Sequence, residues 1–168
     1  MISATYEEIL YGESIVRRAP GTRHEAICQR LHGCVQASLA KTFTTHLLSP
    51  RSIVQLNPST LVRPDLTLVT AATGKPWLLA EIMDSGDHHT DTVVKKAIYE
   101  ETKLPRLWMI DPRYDNVEIY HGTEYGLALK GILAHREFLS EALLPGLQIS
   151  IARLFGGDLN ADPDSAPV

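Results

Sequence analysis

Two apolar, strand-like runs near the middle of the chain, residues 61–69 (LVRPDLTLV) and 78–83 (LLAEIM), each carry one carboxylate: Asp65 in the first, Glu81 in the second. Asp91-x-x-x-Lys95 follows in a helical stretch. An acid inside a core strand is costly, because an unpaired buried charge loses more hydration than a strand position returns. Such acids persist where a cation shares their site. Two of them on adjoining strands, with a lysine behind, is a divalent-metal hydrolase arrangement. It restricts the chain to folds that bring two core strands and a helix to one point.

Strand alternation sorts these side chains. Asp65, Thr67 and Val69 share one face of the first run. In the second, Leu79, Glu81 and Met83 share a face, and Leu78, Ala80 and Ile82 point the other way. If the strands are neighbours, Asp65 and Glu81 converge on one cation. Hard oxygen ligands with retained water suit Mg²⁺ or Mn²⁺. Such a metal orients and acidifies a water and stabilises charge developing on a phosphodiester. Met83 stands where a lysine would complete a compact D…ExK site, which leaves Lys95 to supply the ammonium from the helix. Asp91, Lys95 and Tyr99 follow i, i+4, i+8 spacing along one stripe. The helical wheel alone does not choose Lys95 over Lys96.

The rest of the chain alternates strands and helices. Residues 6–18 read as a hairpin about Tyr11-Gly12, broken by Ala19-Pro20-Gly21. Thr22-x-x-Glu25 has the form of a capping box opening a helix that runs to about Lys41, with Ile27, Leu31, Cys34/Val35, Ser38 and Leu39 at helical spacing on its apolar stripe. A connector at 47–50, a short strand at 52–56, a polar loop at 84–90 and a second helix over 91–103 follow. Residues 106–110 read as a buried strand stopped by Asp111-Pro112, and 117–120 as an alternating one. Weaker strands fall near 125–129 and 135–138. Residues 144–147 lead into a short strand and a last helical turn around 151–155. This order predicts an α/β fold with a mixed β-sheet flanked by helices and an N-terminal β-hairpin. Residues 1–155 are expected to form a single domain, and 156–168 a polar, disordered tail.

Composition narrows the class. At 168 residues and 44% hydrophobic the chain supports a real core, and no apolar run approaches the ~20 residues of a membrane span. The N-terminal stretch lacks the basic and apolar regions of a secretory signal, so the expected location is cytoplasmic, with no membrane partner. Cys28 and Cys34 lie on different helix faces and are expected to be reduced, partly buried thiols. Net charge is −4, but residues 1–60 hold six Lys/Arg against four acids, while the remainder holds ten against sixteen. The balance weakens a nucleic-acid reading without removing it.

Other residues weigh less. His24, in the first helical turn, is placed to orient phosphate or water or to have no role, with equal weight. Glu8 and Glu13 read more readily as exposed hairpin acids than as pocket residues. Tyr99 is expected to pack beside Lys95. His88 and His89 in a Gly/Asp loop have no third ligand at zinc spacing. Trp108, Met109 and Ile110 read as core, and Asp111 as a strand-end cap.

The series Pro64-Asp65, Ala80-Glu81-Ile82, Asp91-x-x-x-Lys95-x-x-x-Tyr99 and Leu104-Pro105-x-x-Trp108-x-Ile110-Asp111-Pro112 resembles the Uma-two restriction-endonuclease family of the PD-(D/E)XK nuclease-like superfamily. Gly12-Glu13, Pro20-x-x-x-His24, Leu144-Pro145-Gly146-Leu147 and Leu154-Phe155 extend the likeness over about residues 6–155. The resemblance implies a restriction-endonuclease-like core, with Asp65 and Glu81 as metal ligands and Lys95 as the catalytic lysine relocated to the helix. Asp84-Ser85-Gly86-Asp87 departs from the family's usual Ser-Pro-Ser type segment, and Met83 is bulkier than is common there. The leading expectation is a Mg²⁺- or Mn²⁺-dependent endonuclease acting on DNA, with His24 and Tyr99 as auxiliary residues. A double-strand cutter of this kind is expected to be a homodimer, with two sites facing two strands. The alternative is a non-catalytic nuclease-fold binding or assembly module; a weaker third reading is a phosphohydrolase of small nucleotides.

Overall fold

The computed structural model describes residues 5–84 and 90–157; nothing is assigned to the side chains of Thr90 and Asp91. The chain opens with an antiparallel hairpin, β1 (Tyr6–Leu10) and β2 (Glu13–Arg17). Its two-residue turn puts both Tyr11 (φ 52°) and Gly12 (φ 82°) in the left-handed region, which matches the twist of the strands it joins. Helix α1 covers Thr22–Ser38 and buries Ile27, Leu31 and Val35 of the expected stripe with Cys28 beside them, while Cys34 faces solvent. The capping box does not form. Gly21 is the N-cap, with no side-chain hydrogen bond, because the Glu25 carboxylate turns instead to the Arg51 guanidinium, 2.8 Å away. The helix stops at Ser38, short of Lys41, where Leu39 N–H is shared between the Val35 and Gln36 carbonyls.

The expected connector at 47–50 is partly a strand: β3 (Thr45–Leu47) precedes β4 (Val54–Asn57) and β5 (Thr60–Val62). The run 61–69 is two strands, not one. Strand β5 pairs with β1 and β4, whereas β6 (Leu66–Thr70) pairs with β3 and with β7 (Pro76–Ile82). Asp65 sits at the bend where the chain passes from one sheet to the next, and Pro64, without an N–H, cannot continue a ladder through it. A π-helical turn (Thr90–Lys95) runs into α2 (Lys96–Glu101). This stretch is the crossover that lets β8 (Arg106–Asp111) lie parallel to β7.

Strand β9 (Asn116–Thr123) and the long, bulged β10 (Gly126–Ala134) complete a mixed six-stranded sheet of order β10-β9-β8-β7-β6-β3. The weak strand expected at 135–138 is instead a turn, with His135 at φ 54°, after which β11 (Phe138–Glu141) pairs with β12 (Leu144–Ser150). Helix α3 (Ile151–Leu154) closes the described chain. The smaller sheet, β2-β1-β5-β4, and the larger one share the second of two cores. One face of the large sheet packs Leu66, Leu68, Leu78, Ala80, Ile82 and Trp108 against α1. The other packs Leu79, Met83, Leu107 and Met109 against Ile98 and Tyr99 of α2 and Leu10, Val54 and Val62 of the small sheet. Cys28 is buried but Cys34 is exposed, contrary to the expectation of two partly buried thiols, because α1 turns its Cys34 side to solvent. Of the expected tail, residues 158–168 lie outside the described residues.

Candidate active site

Glu81 projects from the middle of the large sheet into the second core and is 3% exposed. Alternation along β7 puts it with Leu79 and Met83, as the sequence pattern predicts. Its charge is met by Lys95, whose Nζ lies 2.7 Å from Glu81 Oε1, and by the Tyr99 hydroxyl, which donates to the same oxygen. Lys95 stands at the junction of the π turn and α2, 2% exposed. Lys96 lies instead over the Tyr120 ring, 4.3 Å from its centroid. Tyr99 does more than pack. Burial and then the Glu81 charge hold its hydroxyl well above the ordinary tyrosine range, so it remains a donor to that carboxylate.

Lys95 has a second carboxylate at 2.9 Å, Glu8 Oε2 of β1. Glu8 is completely buried, which corrects the reading of it as an exposed hairpin acid; Glu13, at the other end of the hairpin, is exposed. Glu8 also accepts from Arg17 Nε at 2.8 Å and from the Arg63 backbone N–H at 2.7 Å. Burial opposes its ionised form, but Lys95, the Arg63 N–H and Arg17 outweigh that and hold its pKa below the ordinary value. One acid of the small sheet thus ties its strand to the lysine of the large sheet's crossover.

Asp65 enters from the bend between β5 and β6. Its Oδ2 accepts from the Ile82 N–H at 2.9 Å and stands 3.3 Å from His24 Nε2, while Arg51 Nη1 lies 3.3 Å from Oδ1. Burial again works against the charge, and His24, the Ile82 N–H and Lys95 together lower its pKa. Reciprocally, burial would lower His24, but the hydrogen bond to Asp65 and its charge prevail and raise it. His24 is therefore joined to the site. Cys28, whose thiol is pushed up to about 12 by burial and then by Asp65, donates to the Asp65 carbonyl at 3.7 Å and is unsuited to nucleophilic work.

Asp65 and Glu81 line one narrow cleft with Asp84, His24, Tyr6 and Arg17. Its cavity volume of about 10 Å³ is close to that of one water-sized occupant. Among the described residues no three His, Cys, Asp or Glu side chains converge as a complete ligand set. Two carboxylates at a single-ion cleft suit a hard cation that keeps waters and takes further oxygens from a substrate, and do not suit a closed zinc site. Met83 packs beneath, 7% exposed, its N–H donating to the Ile110 carbonyl at 2.8 Å. His88 and His89 lie outside the described residues, as does the side chain of Asp91. Asp111 accepts from the Arg113 N–H at 2.9 Å, the strand-end cap expected of it.

Four residues that sequence reasoning passed over complete the site: Tyr6, Arg17, Glu25 and Arg51. For Glu8 a signal existed, since it alternates in register with Leu10, which is buried. For Arg51 none did, because it reaches Asp65 from a loop.

A mixed sheet carrying an Asp at a strand entry, a Glu mid-strand and a lysine from the crossover helix defines a nuclease-like α/β fold. The model of the Uma2 family, described as "Putative restriction endonuclease", matches residues 4–152, and the chain belongs to that family. A solved structure described as "a putative nuclease belonging to DUF820 from Anabaena variabilis ATCC 29413" is similar, with a TM-score of 0.74 at 15% sequence identity. The likeness covers 89% of each chain and speaks to the fold. No curated protein matches. No helix among the described residues is long and apolar enough to cross a membrane.

Proposed function

We propose that the protein is a metal-dependent endonuclease that hydrolyses DNA phosphodiesters, with Asp65 and Glu81 holding Mg²⁺ or Mn²⁺ and Lys95 assisting attack by water. The observation that carries this reading is the meeting of two carboxylates in one ion-sized cleft, with Lys95 Nζ 2.7 Å from Glu81, in a chain of the Uma2 family. When bound, the cation supplies a polarised water and charge neutralisation at the phosphoryl group. The protein's own residues do the rest. Lys95 brings an ammonium to the charge that builds on phosphate oxygens. Glu8 holds that ammonium from behind. His24 keeps the Asp65 carboxylate ionised, and Arg51 helps to aim it. Tyr99 fixes the orientation of Glu81. A double-strand cut uses two such sites on opposite strands, so we take the working unit to be a cytoplasmic homodimer, with residues 1–155 as one nuclease domain.

One observation favours the second reading, a non-catalytic binding or assembly module. Lys95 and Arg17 together already balance Glu8 and Glu81, so these two carboxylates are compensated without a cation. Calorimetric titration of Mg²⁺ or Mn²⁺, alone and with a non-cleavable duplex, separates the two. The nuclease reading expects heat that disappears in Asp65→Ala and Glu81→Ala, and duplex cleavage that disappears in Lys95→Ala. Absence of binding by the folded wild type even with duplex present overturns it.

A further inference from the structure

Beside the catalytic cleft lies a second cavity of about 430 Å³, within the range of ordinary small-ligand pockets (~300–1,000 Å³). Tyr6 and Pro20 line both, so the two are adjacent. Its charged lining is Arg51, Arg63 and Glu25, and Pro50 adds an apolar wall. We propose that this pocket seats the nucleotide flanking the scissile phosphate, its own phosphate held by Arg51 and Arg63 and its sugar against Tyr6, Pro20 and Pro50. The inference rests on the nuclease reading above and deepens it.

Both arginines are held in place. Arg63 donates through Nη1 to the Arg51 carbonyl at 3.3 Å, and its backbone N–H is bound to the buried Glu8. Arg51 sits at φ 57°, a left-handed conformation that costs a non-glycine residue about 1–2 kcal/mol, and its own N–H donates to the Pro64 carbonyl at 3.0 Å. Backbone strain of this kind persists where the surroundings over-determine it, commonly at ligand clamps. In the free protein the anion on Arg51 is Glu25, with Nη2 3.0 Å from Oε2. A phosphate takes that place with the bidentate geometry guanidinium favours. Arg51 also reaches Asp65, so an occupied pocket stands directly against the metal-binding end of the cleft.

The two charges have opposite predicted effects, which makes the test discriminating. Binding of a labelled mixed-sequence DNA duplex to the full chain is measured by anisotropy in Ca²⁺ across ~50–200 mM salt. Arg63→Gln is expected to bind more weakly and to reduce the slope of log K against log[salt] by about 0.9, one phosphate contact. Glu25→Gln is expected to bind several-fold more tightly, because Arg51 loses its competing carboxylate. It also tests the pocket independently should Arg63→Gln fail to fold. Unchanged slope in a folded Arg63→Gln, or weaker binding in Glu25→Gln, overturns the pocket. Cleavage of the same duplex in Mg²⁺, scored in parallel, reports on the nuclease reading separately. Cleavage with unaltered binding in both variants rejects the pocket alone, and a wild type that neither binds nor cuts rejects both.

Discussion

Along β7 neighbouring residues enter two different interiors. Leu78, Ala80 and Ile82 join an apolar core under α1, whereas Leu79, Glu81 and Met83 join one that also holds Glu8, Lys95 and Tyr99. Ala80 is 0% exposed and Glu81 3%, so dryness does not distinguish the two sides. What differs is how burial is compensated. On the α1 side, apolar area removed from water stabilises the fold directly. On the other side each charge loses hydration and is offset by a specific partner, an arrangement that well-packed apolar residues often match or exceed in stability. Under the nuclease reading proposed above, chemistry rather than stability is the reason for a network of charges in such a place.

The sharpest way to break that contrast is through activity. Asp65→Asn and Glu81→Gln should each lower metal-dependent DNA cleavage by ~10²–10³-fold while far-UV circular dichroism stays that of the wild type; wild-type cleavage in either would remove the charged side from the mechanism. Next, Lys95→Met should destabilise the metal-free protein by ~3–5 kcal/mol in urea unfolding, since Glu8 and Glu81 are then left facing each other. The same variant should bind Mg²⁺ more tightly than wild type by calorimetry, because Lys95 no longer occupies Glu81, and the bound ion should restore part of the lost stability. Unaltered metal affinity would show that lysine and cation do not compete. On the apolar side, Leu78→Ala should cost ~2–5 kcal/mol yet leave the heat of metal binding per folded molecule unchanged.

Two smaller effects sharpen the comparison. His24 is raised above its usual 6.5 by Asp65 against the opposing effect of burial. Its contribution to stability is therefore full below pH ~6.5 and lost as pH rises through its folded value. Asp65 is lowered below its usual 3.8 despite burial, so its contribution is present above pH ~3.8 and lost as pH falls through its depressed value. Stability of the metal-free protein should thus decline on both flanks, and His24→Gln should flatten the alkaline one. Last, Gly21→Ser supplies the absent cap of α1 where a Cβ meets nothing within 4 Å, and should raise stability by about a few tenths of a kcal/mol.

Much of the fold was legible locally. Tyr11-Gly12 specifies the hairpin, and the spacing of Ile27, Leu31 and Val35 specifies α1. The break at Pro64-Asp65 was not read, because the apolar residues on either side continue one alternating run, although they belong to β5 and β6 in different sheets. The capping box was misleading because a capping bond competes with an ion pair of longer range, Glu25 to Arg51. Strand β3 was missed because three residues carry too little period to be read. The strand over 126–134 was underestimated because its half-exposed edge dilutes the alternation.

By itself the sequence determined the face that Glu81 takes, since alternation with period two assigns it to the side of Leu79 and Met83 whatever surrounds it. It also narrowed the ammonium to Lys95 or Lys96. Only the tertiary structure decided between those lysines, turned Glu8 inward onto the chosen one, and brought His24 and Arg51 to Asp65. The reason is physical. Periodicity is a property of neighbouring residues along one element, whereas the pairing of buried charges depends on which elements close over them, and here two sheets and two helices meet at a single cleft.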